Sequence, residues 1–394
     1  MNKIKIIFLT IILTLLLISS CSQKKNFLGF EEEIENKIIT DTLSNSVNFI
    51  KSYISGSSNY QSNTKLIVGK FNGVEVRSLL KFNLPDTSWL NTLINIDSCK
   101  IVIKKKNLFN SIEDFDIKVY KVTKDWNENF VTWDSLNFPT DFQETDYNIS
   151  FENLQNQDTL SLIISDTLVK NWIESDSTST NFGIMLKCDG NLENNFVEFY
   201  SSETSNYPYL KISYIDSSGT DTTKTYTVSE DTFIGYDENF YYTEILNFPI
   251  IQNLYPTRTI FSFCMDSLIN LLEVTSDSSK ITINKAAIIF DSTMIDSVFV
   301  SDSYLEVKPY YISDTASIKY ENIAGSKASK FYKDDQTLEI NVSGIIQGYL
   351  RGELENNQFL IKSTTENKDF SYLKFFEDIK PLMKIIYTKP ILVE

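Results

Sequence analysis

Internal repetition is the feature that most constrains the fold of this chain. Residues 77–82 (RSLLKF) return as residues 258–263 (RTIFSF), although the chain holds only three arginines. Two further pairs of segments match in the same order: 159–172 with 337–350, and 208–214 with 381–387. The spacing between partners drifts by only a few residues, as loop deletions would produce. The repetition therefore predicts two tandem copies of one fold.

Short alternating segments predict that each copy is built from strands. Residues 100–104 and 115–122 alternate apolar and polar side chains, and residues 282–290 do the same in the second copy. A period of two is typical of half-buried strands. One short helix is predicted at 167–173. Many short strands separated by Asn, Asp and Ser turns indicate an all-β chain of two tandem antiparallel, jelly-roll-like β-sandwich domains.

A polar stretch between the two copies, D-S-S-G-T-D-T-T-K-T, predicts a linker at residues 216–225. The predicted organisation is a lipoprotein signal peptide at 1–20, a polar tether at 21–35, the first sandwich at 36–215, the linker, a second sandwich at 226–388 and a tail at 389–394.

The N-terminal segment has the three parts of an export signal. Lys3 and Lys5 precede an apolar run at residues 6–18, which is shorter than the roughly 20 residues that span a bilayer. The following I-S-S-C resembles a bacterial lipobox, which implies that Cys21 carries lipid. We therefore expect a lipid anchor in the bacterial cell envelope, in the outer membrane, facing either the periplasm or the surface. The alternative is an ordinary signal peptide with a coincidental cysteine.

Charge and composition exclude several functions. The chain has 36 basic and 52 acidic residues, for a net charge of −16, which disfavours binding to nucleic acid. It has no histidine, so Ser-His-Asp catalysis and imidazole metal ligands are excluded. No G-x-S-x-G, H-E-x-x-H or glycine-rich phosphate loop occurs. These observations predict that the protein is not an enzyme.

An ordered set of segments carries a family resemblance: 77–82, 118–133 (KVYKVTKDWNENFVTW), 181–186, 199–203 and 208–214. Together they resemble the DNRLRE domain, a secreted β-sandwich related to carbohydrate-binding modules. The resemblance implies a non-catalytic role on proteins that handle polysaccharide. The second copy keeps the arginine segment, the helix segment and the last strand but contains no tryptophan, so it is similar to a degenerate copy of the domain.

Aromatic residues of the first copy are the candidate glycan-binding residues. Tyr120, Trp126, Glu128 and Trp133 could form a platform on which the C–H surface of a pyranose packs. In the alternative, these tryptophans fill the core. An acidic surface repels a uronate polymer unless calcium or a local basic patch intervenes, so a neutral glycan is the expected ligand.

The repeated arginines are predicted to form structural ion pairs. Arg77 and Arg258 occupy matching positions, and Glu128 and Glu203 are the candidate partners. In the alternative, Arg77 binds a carboxylate or sugar hydroxyls of a ligand.

An oxygen-rich loop is the candidate metal site. Asp189, Asn191, Glu193 and Asn194 could hold a structural calcium ion, although their spacing does not match an EF-hand. The remaining cysteines, Cys99, Cys188 and Cys264, are odd in number once Cys21 is lipidated. This predicts buried free thiols more than a disulfide framework.

The residues together predict a non-catalytic envelope lipoprotein whose first sandwich binds an extracellular glycan or polysaccharide. The alternative is a structural or adhesive lipoprotein, in which the sandwiches are spacers or dock an envelope or extracellular protein. Exposure of Trp126 and Trp133 distinguishes the two, because a sugar platform requires solvent-facing rings.

Overall fold

The computed structural model describes residues 35–44, 46–55, 60, 63–109, 115–174, 181–189, 194–237, 245–272 and 281–391. The predicted signal peptide, Cys21, Asn191 and Glu193 lie outside these residues. Within the described ranges, no helix combines the length and the apolar character needed to cross a membrane.

Strands dominate the first half of the described chain. They are β1 Glu35–Leu43, β2 Val47–Ile54, β3 Lys65–Phe71, β4 Val74–Phe82, β5 Leu93–Phe109, β6 Ile117–Val122, β7 Phe142–Ile149, β8 Thr159–Ile164, β9 Ile184–Cys188, β10 Asn195–Tyr200, β11 Tyr209–Asp216 and β12 Asp221–Asp237.

The second half continues in the same way. Its strands are β13 Ile245–Leu246, β14 Ile250–Gln252, β15 Thr257–Phe263, β16 Thr282–Asp291, β17 Ile295–Phe299, β18 Leu305–Asp314, β19 Lys319–Glu321, β20 Ser329–Phe331, β21 Thr337–Asn341, β22 Gln358–Ser363, β23 Tyr372–Phe375 and β24 Leu382–Ile391.

Helices are short. The α-helices are α1 Phe151–Asn156, α2 Asp166–Glu174, α3 Met265–Leu271 and α4 Ser343–Leu350, and 3-10 turns occur at Thr87–Thr92, Trp133–Ser135 and Ser292–Met294. Helix α2 forms where the sequence predicts one. It follows β8 as α4 follows β21, so the repeated segments form the same pair of elements in both halves.

The first sandwich packs sheet I (β12, β11, β5 and β8) against sheet II (β10, β3, β4, β9, β6 and β7). Strands β5 and β12 are long enough to take part in both sheets. Strand β12 pairs with β11 through Thr227 and then with β4 from Val228 onward, where the register shifts. The core between the sheets includes Val68, Ile101 and Ile212.

The second sandwich packs sheet III (β1, β24, β16 and β21) against sheet IV, in which β17, β23, β14, β15, β22, β18 and β19 are joined by β2, β13 and β20. Its core includes Phe261, Ile288 and Phe359, which are fully buried. The all-β, antiparallel sandwich prediction is confirmed.

Strand pairing departs from the predicted domain limits at two places. Strands β1 and β2 precede the first sandwich in sequence but pair with β24 and β15 of the second. Strand β12 begins within the predicted linker and extends into the predicted second domain, but it pairs with β11 and β4 of the first sandwich. The segment 216–225 is therefore a hairpin turn followed by the start of β12. Threonines occupy alternate positions there, and threonine is a residue that is enriched in strands. The division into two copies of one domain stays a prediction.

Aromatic rings from both sandwiches meet at their junction. The ring of Phe196 in β10 lies 4.5 Å from that of Phe370 in the second sandwich, and Phe71 lies 4.4 Å from Phe299. These rings belong to one buried cluster that also includes Leu254. Apolar burial therefore holds the two sandwiches against each other.

Candidate functional site

Trp126 belongs to the loop that joins β6 to β7, and its side chain is buried in a small apolar cluster with Tyr120 and Met185. Its side chain is 5% exposed, and its Nε1–H donates to the Phe182 carbonyl oxygen at 2.8 Å. Lys81 places its ammonium 5.0 Å from the ring centroid and donates to the Trp126 carbonyl oxygen at 2.8 Å. These contacts bury the Trp126 ring within the protein, so neither face of the ring is free to pack against a sugar.

Trp133 is half-buried, and neighbouring side chains pack against its ring. The Arg77 guanidinium carbon lies 4.1 Å from the ring centroid, and the Tyr236 ring is stacked on it at 5.2 Å. Tyr120 is 8% exposed and contacts Phe138 edge-on. The predicted platform residues therefore lie close together but form a packed cluster, not an open aromatic surface.

Glu128 faces a buried carboxyl group. The Asp231 N–H donates to Glu128 Oε2 at 3.3 Å, and burial raises the pKa of Glu128. Burial also raises the pKa of Asp231 to about 7. Hydrogen bonds from Ser202 lower this pKa, whereas the negative charge of Glu203 raises it further. Glu128 and Glu203 thus lie around Asp231 and are not placed as the predicted partners of the repeated arginines.

Both repeated arginines form ion pairs, with partners that the sequence prediction missed. Arg77 Nε lies 2.8 Å from Glu75 Oε1, two residues earlier on the same face of β4. Arg258 makes a bidentate pair with Glu366, with Nε–Oε1 2.8 Å and Nη2–Oε2 2.9 Å. The predicted partners Glu128 and Glu203 are therefore wrong, and the observed partners are Glu75 and Glu366. Glu75 lies two residues from Arg77 on the same strand, and Glu366 lies on a loop that adjoins Arg258. Both are nearer to the arginines than the motif residues are.

The predicted calcium loop is described only in part. Asp189 Oδ2 lies 3.4 Å from Lys118 Nζ, which also bonds Glu144 at 3.2 Å. Asn194 adopts a left-handed conformation with φ of 61°. Among the described residues no group of three Asp, Glu, Cys or His side chains is placed to hold a metal ion. Calcium binding stays a prediction.

Three cysteines in the described ranges are free thiols. Cys99 is buried in sheet I, where burial raises its pKa to about 11. Burial raises the pKa of Cys188 to about 12. Cys264 precedes helix α3. These positions agree with the predicted free thiols.

An open cleft lies at one end of sheet I. It encloses about 410 Å³, within the range of ligand pockets in proteins. Tyr207 at its rim is 43% exposed. Lys104 donates to Asn206 Oδ1 at 3.0 Å and so holds the amide of Asn206 in the wall. The lining residues are Val102, Lys104, Thr159, Ser205, Asn206, Tyr207, Tyr209, Thr225 and Thr227.

The cleft opens onto a basic surface, which we call the lysine face: Lys100, Lys104 and Lys211 with their outward neighbours on sheet I. Paired positions of adjacent strands point to the same side, and Lys211 pairs with both Lys100 and Thr225. The alternate residues, such as Ile101 and Ile212, enter the core.

The outward positions nearest the cleft carry three lysines and no carboxylate: Lys100, Val102, Lys104, Thr159, Ser161, Ile163, Tyr209, Lys211, Ser213, Thr223, Thr225 and Thr227. The carboxylates on this side of the sheet, Asp97 and Asp221, lie at the other end of strands β5 and β12. In a chain of net charge −16, sheet I therefore gathers positive charge at the mouth of the cleft.

The cleft and the lysine face were not among the predicted sites, although part of their signal is visible in the sequence. The alternation in β5 shows that Lys100 and Lys104 leave the same face. Which strands flank β5, and where the loop carrying Tyr207 lies, follow only from the assembled sheet.

Comparisons with known proteins indicate the nature of this domain. Residues 44–214, somewhat less than half of the chain, match the model of carbohydrate-binding module family 96. No curated protein matches the chain.

Two solved structures align weakly along most of the chain. The Macrobrachium rosenbergii nodavirus structure is 10% identical, with 94% of this chain and 95% of that chain covered and a TM-score of 0.12. An infectious bursal disease virus structure (Gt strain) is 9% identical, with 97% and 83% covered and a TM-score of 0.12. These two similarities carry no structural argument. The family match indicates carbohydrate binding in general and supports a carbohydrate-binding-module-like domain within residues 44–214.

Proposed function

We propose that this protein is a non-catalytic, lipid-anchored envelope protein whose first sandwich binds polysaccharide in the cleft beside Tyr207. The family match on residues 44–214 carries the proposal, because this class of module typically binds sugar without cleaving it. The cleft supports it with an exposed ring at its rim and hydroxyl and amide groups in its walls. Such walls can donate to and accept from sugar hydroxyls.

The lysine face favours a polysaccharide that carries acidic groups. Lys100, Lys104 and Lys211 stand together without a carboxylate at the neighbouring outward positions. This is the local basic patch that an acidic polymer needs in order to approach a protein of net charge −16. The neutral glycan expected from overall charge is therefore the less favoured ligand.

A pull-down with the chain that begins at Ser22 tests the proposal. The probes are an immobilised polyuronate, a sulfated polysaccharide and a neutral glucan, each with and without calcium. We expect retention on one of the acidic polymers, weakened by added salt. Tyr207→Ala should abolish retention because it removes the exposed ring.

The matched control is Tyr332→Ala, because Tyr332 is 46% exposed on the second sandwich and is distant from the cleft in sequence and sheet. It should keep full retention. If no polymer is retained, the carbohydrate proposal is wrong. If Tyr207→Ala is retained like the unaltered chain, the cleft is not the site.

The lipid anchor is tested separately. Cys21 follows the I-S-S sequence expected of a lipobox, so the full chain produced in bacteria should incorporate labelled fatty acid and fractionate with the envelope. Cys21→Ser should lose the label. Equal labelling of both proteins would contradict anchoring at Cys21.

A second function, as a rigid spacer or docking unit without sugar binding, is favoured by the junction of the two sandwiches. The shared aromatic cluster around Phe196 and Phe370 makes the tandem stiff, as a spacer requires. Absence of any polysaccharide binding, together with one cooperative unfolding transition, would favour this function.

A further inference from the structure

We infer that the outward side of sheet IV, in the second sandwich, is a second polysaccharide-binding surface, so that the protein holds one polymer at two places. The inference rests on the proposed function of the first sandwich. Apart from strand β2, which carries Tyr53, the surface lies outside residues 44–214, which match the carbohydrate-binding module.

Three tyrosines mark this surface, which we call the tyrosine face: Tyr53, Tyr310 and Tyr320. They pack over Ile260, Ile312 and Leu360, which form a small apolar cluster separate from the core of the sandwich. The neighbouring residues Phe261, Phe359 and Ile361 point the other way, into the core. A solvent-facing sheet surface usually carries polar residues, and half-buried rings there are not needed to fill the core.

Cations surround the tyrosine rings. Lys362 Nζ lies 5.6 Å from the ring centroids of both Tyr310 and Tyr320. Arg258 lies 5.3 Å from Tyr320, and Lys308 lies 5.7 Å from Tyr310. These distances allow cation–π attraction, which holds the charges at the rings.

Two carboxylates lie on the same side of the sheet as these three cations: Glu366 and, two residues before Lys308 on β18, Glu306. Glu366 binds Arg258 and also Lys362, the latter at 2.8 Å. Lys308 adds a further positive charge beside Lys362, its partner in the β18–β22 ladder. The tyrosine face is therefore locally basic in an acidic protein, as the lysine face is, and both suit the same acidic polymer.

The first sandwich carries the same arrangement around its own repeated arginine. Glu75 binds Arg77 and lies 3.7 Å from Lys187, and both cations lie near the ring of Phe138, at 4.5 Å and 5.6 Å. There the ring of Trp133 also packs on Arg77, whose side chain is 7% exposed.

The second copy has no tryptophan, and its arginine is more accessible. The Arg258 side chain is 16% exposed, and tyrosines take the place of the tryptophan and phenylalanine rings. Tyrosine hydroxyls can also donate to and accept from sugar groups, which phenylalanine cannot do. The arginine is thus more covered in the first copy, whereas its carboxylate partner is more covered in the second, with Glu75 29% and Glu366 11% exposed.

Two surfaces on one stiff tandem give avidity. A polymer long enough to reach both binds more tightly than a short fragment, because the second contact is intramolecular. A fragment too short to bridge them occupies each surface independently. Polymer length and binding stoichiometry therefore report on the second surface directly.

The experiment uses the acidic polymer retained in the pull-down and its purified tetrasaccharide. Isothermal titration of the chain that begins at Ser22 should give two tetrasaccharides per chain. The double variant Tyr310→Ala/Tyr320→Ala should bind one, and its affinity for the long polymer should fall by about 10²-fold or more. Phe130→Ala removes a ring that is 79% exposed in the loop between β6 and β7, outside both faces, and it should behave like the unaltered chain. Lys308→Glu reverses one charge without removing a ring, so it should also weaken polymer binding even if the double variant misfolds.

Each outcome separates the two proposals. One tetrasaccharide per unaltered chain, lost on Tyr207→Ala, would overturn the second surface and leave the first. If the unaltered chain binds one tetrasaccharide, and Lys308→Glu loses it while Tyr207→Ala keeps it, the result would support the second surface and show that the cleft is not a binding site. Unchanged polymer affinity in folded Tyr310→Ala/Tyr320→Ala protein overturns the inference, and absence of binding by any polymer overturns both.

Discussion

Lys65 and Glu198 form an ion pair in which neither side chain reaches solvent. Lys65 Nζ lies 2.7 Å from Glu198 Oε1, and the side chains are 2% and 0% exposed. Asp302 and Asp369 of the second sandwich lie 3.2 Å and 3.9 Å from the same ammonium group. Burial by itself lowers the pKa of Lys65, but these carboxylates outweigh it and raise that pKa above its usual value. One buried cation thus links both sandwiches.

Replacing this cation should destabilise the whole tandem. Lys65→Met leaves Glu198 buried without its counter-ion, which typically costs about 3–5 kcal/mol. Urea unfolding followed by circular dichroism measures the loss of free energy of unfolding. Lys65→Met/Glu198→Leu should recover part of it, because Glu198 is no longer buried without a counter-ion, whereas Asp369, 5% exposed, still lacks the ammonium group.

A surface ion pair provides the matched control. Lys170 Nζ lies 2.9 Å from Asp166 Oδ2, but these side chains are 38% and 43% exposed. Lys170→Met should therefore change the free energy of unfolding by less than about 0.5 kcal/mol. Equal losses for Lys65→Met and Lys170→Met would contradict the proposed role of the junction.

Asp231 should make stability depend on pH near neutrality. Burial raises its pKa to about 7 in the folded protein, from a usual value of 3.8. The folded state therefore favours the protonated carboxyl group. Its stabilising effect is fully present below about pH 4 and is lost as pH rises through about 7.

The measurement is the difference in free energy of unfolding between the unaltered chain and Asp231→Asn from pH 4 to pH 8. We expect the unaltered chain to lose up to about 4 kcal/mol relative to the variant over this range, from about three pKa units at 1.36 kcal/mol each. A difference that stays constant with pH would show that Asp231 titrates normally.

Trp126 should matter for folding and not for sugar binding. Trp126→Ala removes a buried ring and should cost about 3–5 kcal/mol. Trp126→Phe keeps a ring but loses the hydrogen bond to the Phe182 carbonyl, so a smaller loss is expected. Polysaccharide retention by folded Trp126→Phe should equal that of the unaltered chain. Loss of retention at unchanged stability would instead support an aromatic platform at Trp126.

The free thiols should react slowly in the folded protein. Burial raises the pKa of Cys99 to about 11 and that of Cys188 to about 12, so few thiolates form at pH 8. Ellman's reagent should modify at most one thiol of the chain beginning at Ser22 rapidly, and all three after unfolding in guanidinium. Cys99→Ala should leave the rapid count unchanged. Rapid modification of all three thiols in the native chain would contradict the burial of the Cys99 and Cys188 thiols.

The strand content and much of the core could be predicted from local patterns. Alternation in β5 and β11 places Ile101 and Ile212 inside, and both belong to the core of the first sandwich. The helix predicted at 167–173 forms as α2, with Trp172 buried on its inner side. These features depend on the spacing of hydrophobic residues along the chain. The geometry of a strand or helix places residues of that spacing on one face, whatever distant segments do.

Which residues and strands pair with each other could not be predicted in the same way. Arg77 pairs with Glu75 and not with the acidic motif residues, and Trp126 lies inside although its motif resembles a binding loop. Strands β1 and β12 pair across the predicted domain limits. Each outcome depends on which strands become neighbours, and sequence distance does not determine that.

The sandwich class, the repeated arginines and the absence of histidine chemistry follow from periodicity and residue type, so the sequence was enough to predict them. Where positive charge gathers depends on the folded chain. Lys100, Lys104 and Lys211 come from two strands, and the tyrosine face draws Tyr53 and Tyr310 from strands β2 and β18, which are far apart in the chain. A sheet brings such residues onto one surface through its pairing register, which exists only once the chain has folded.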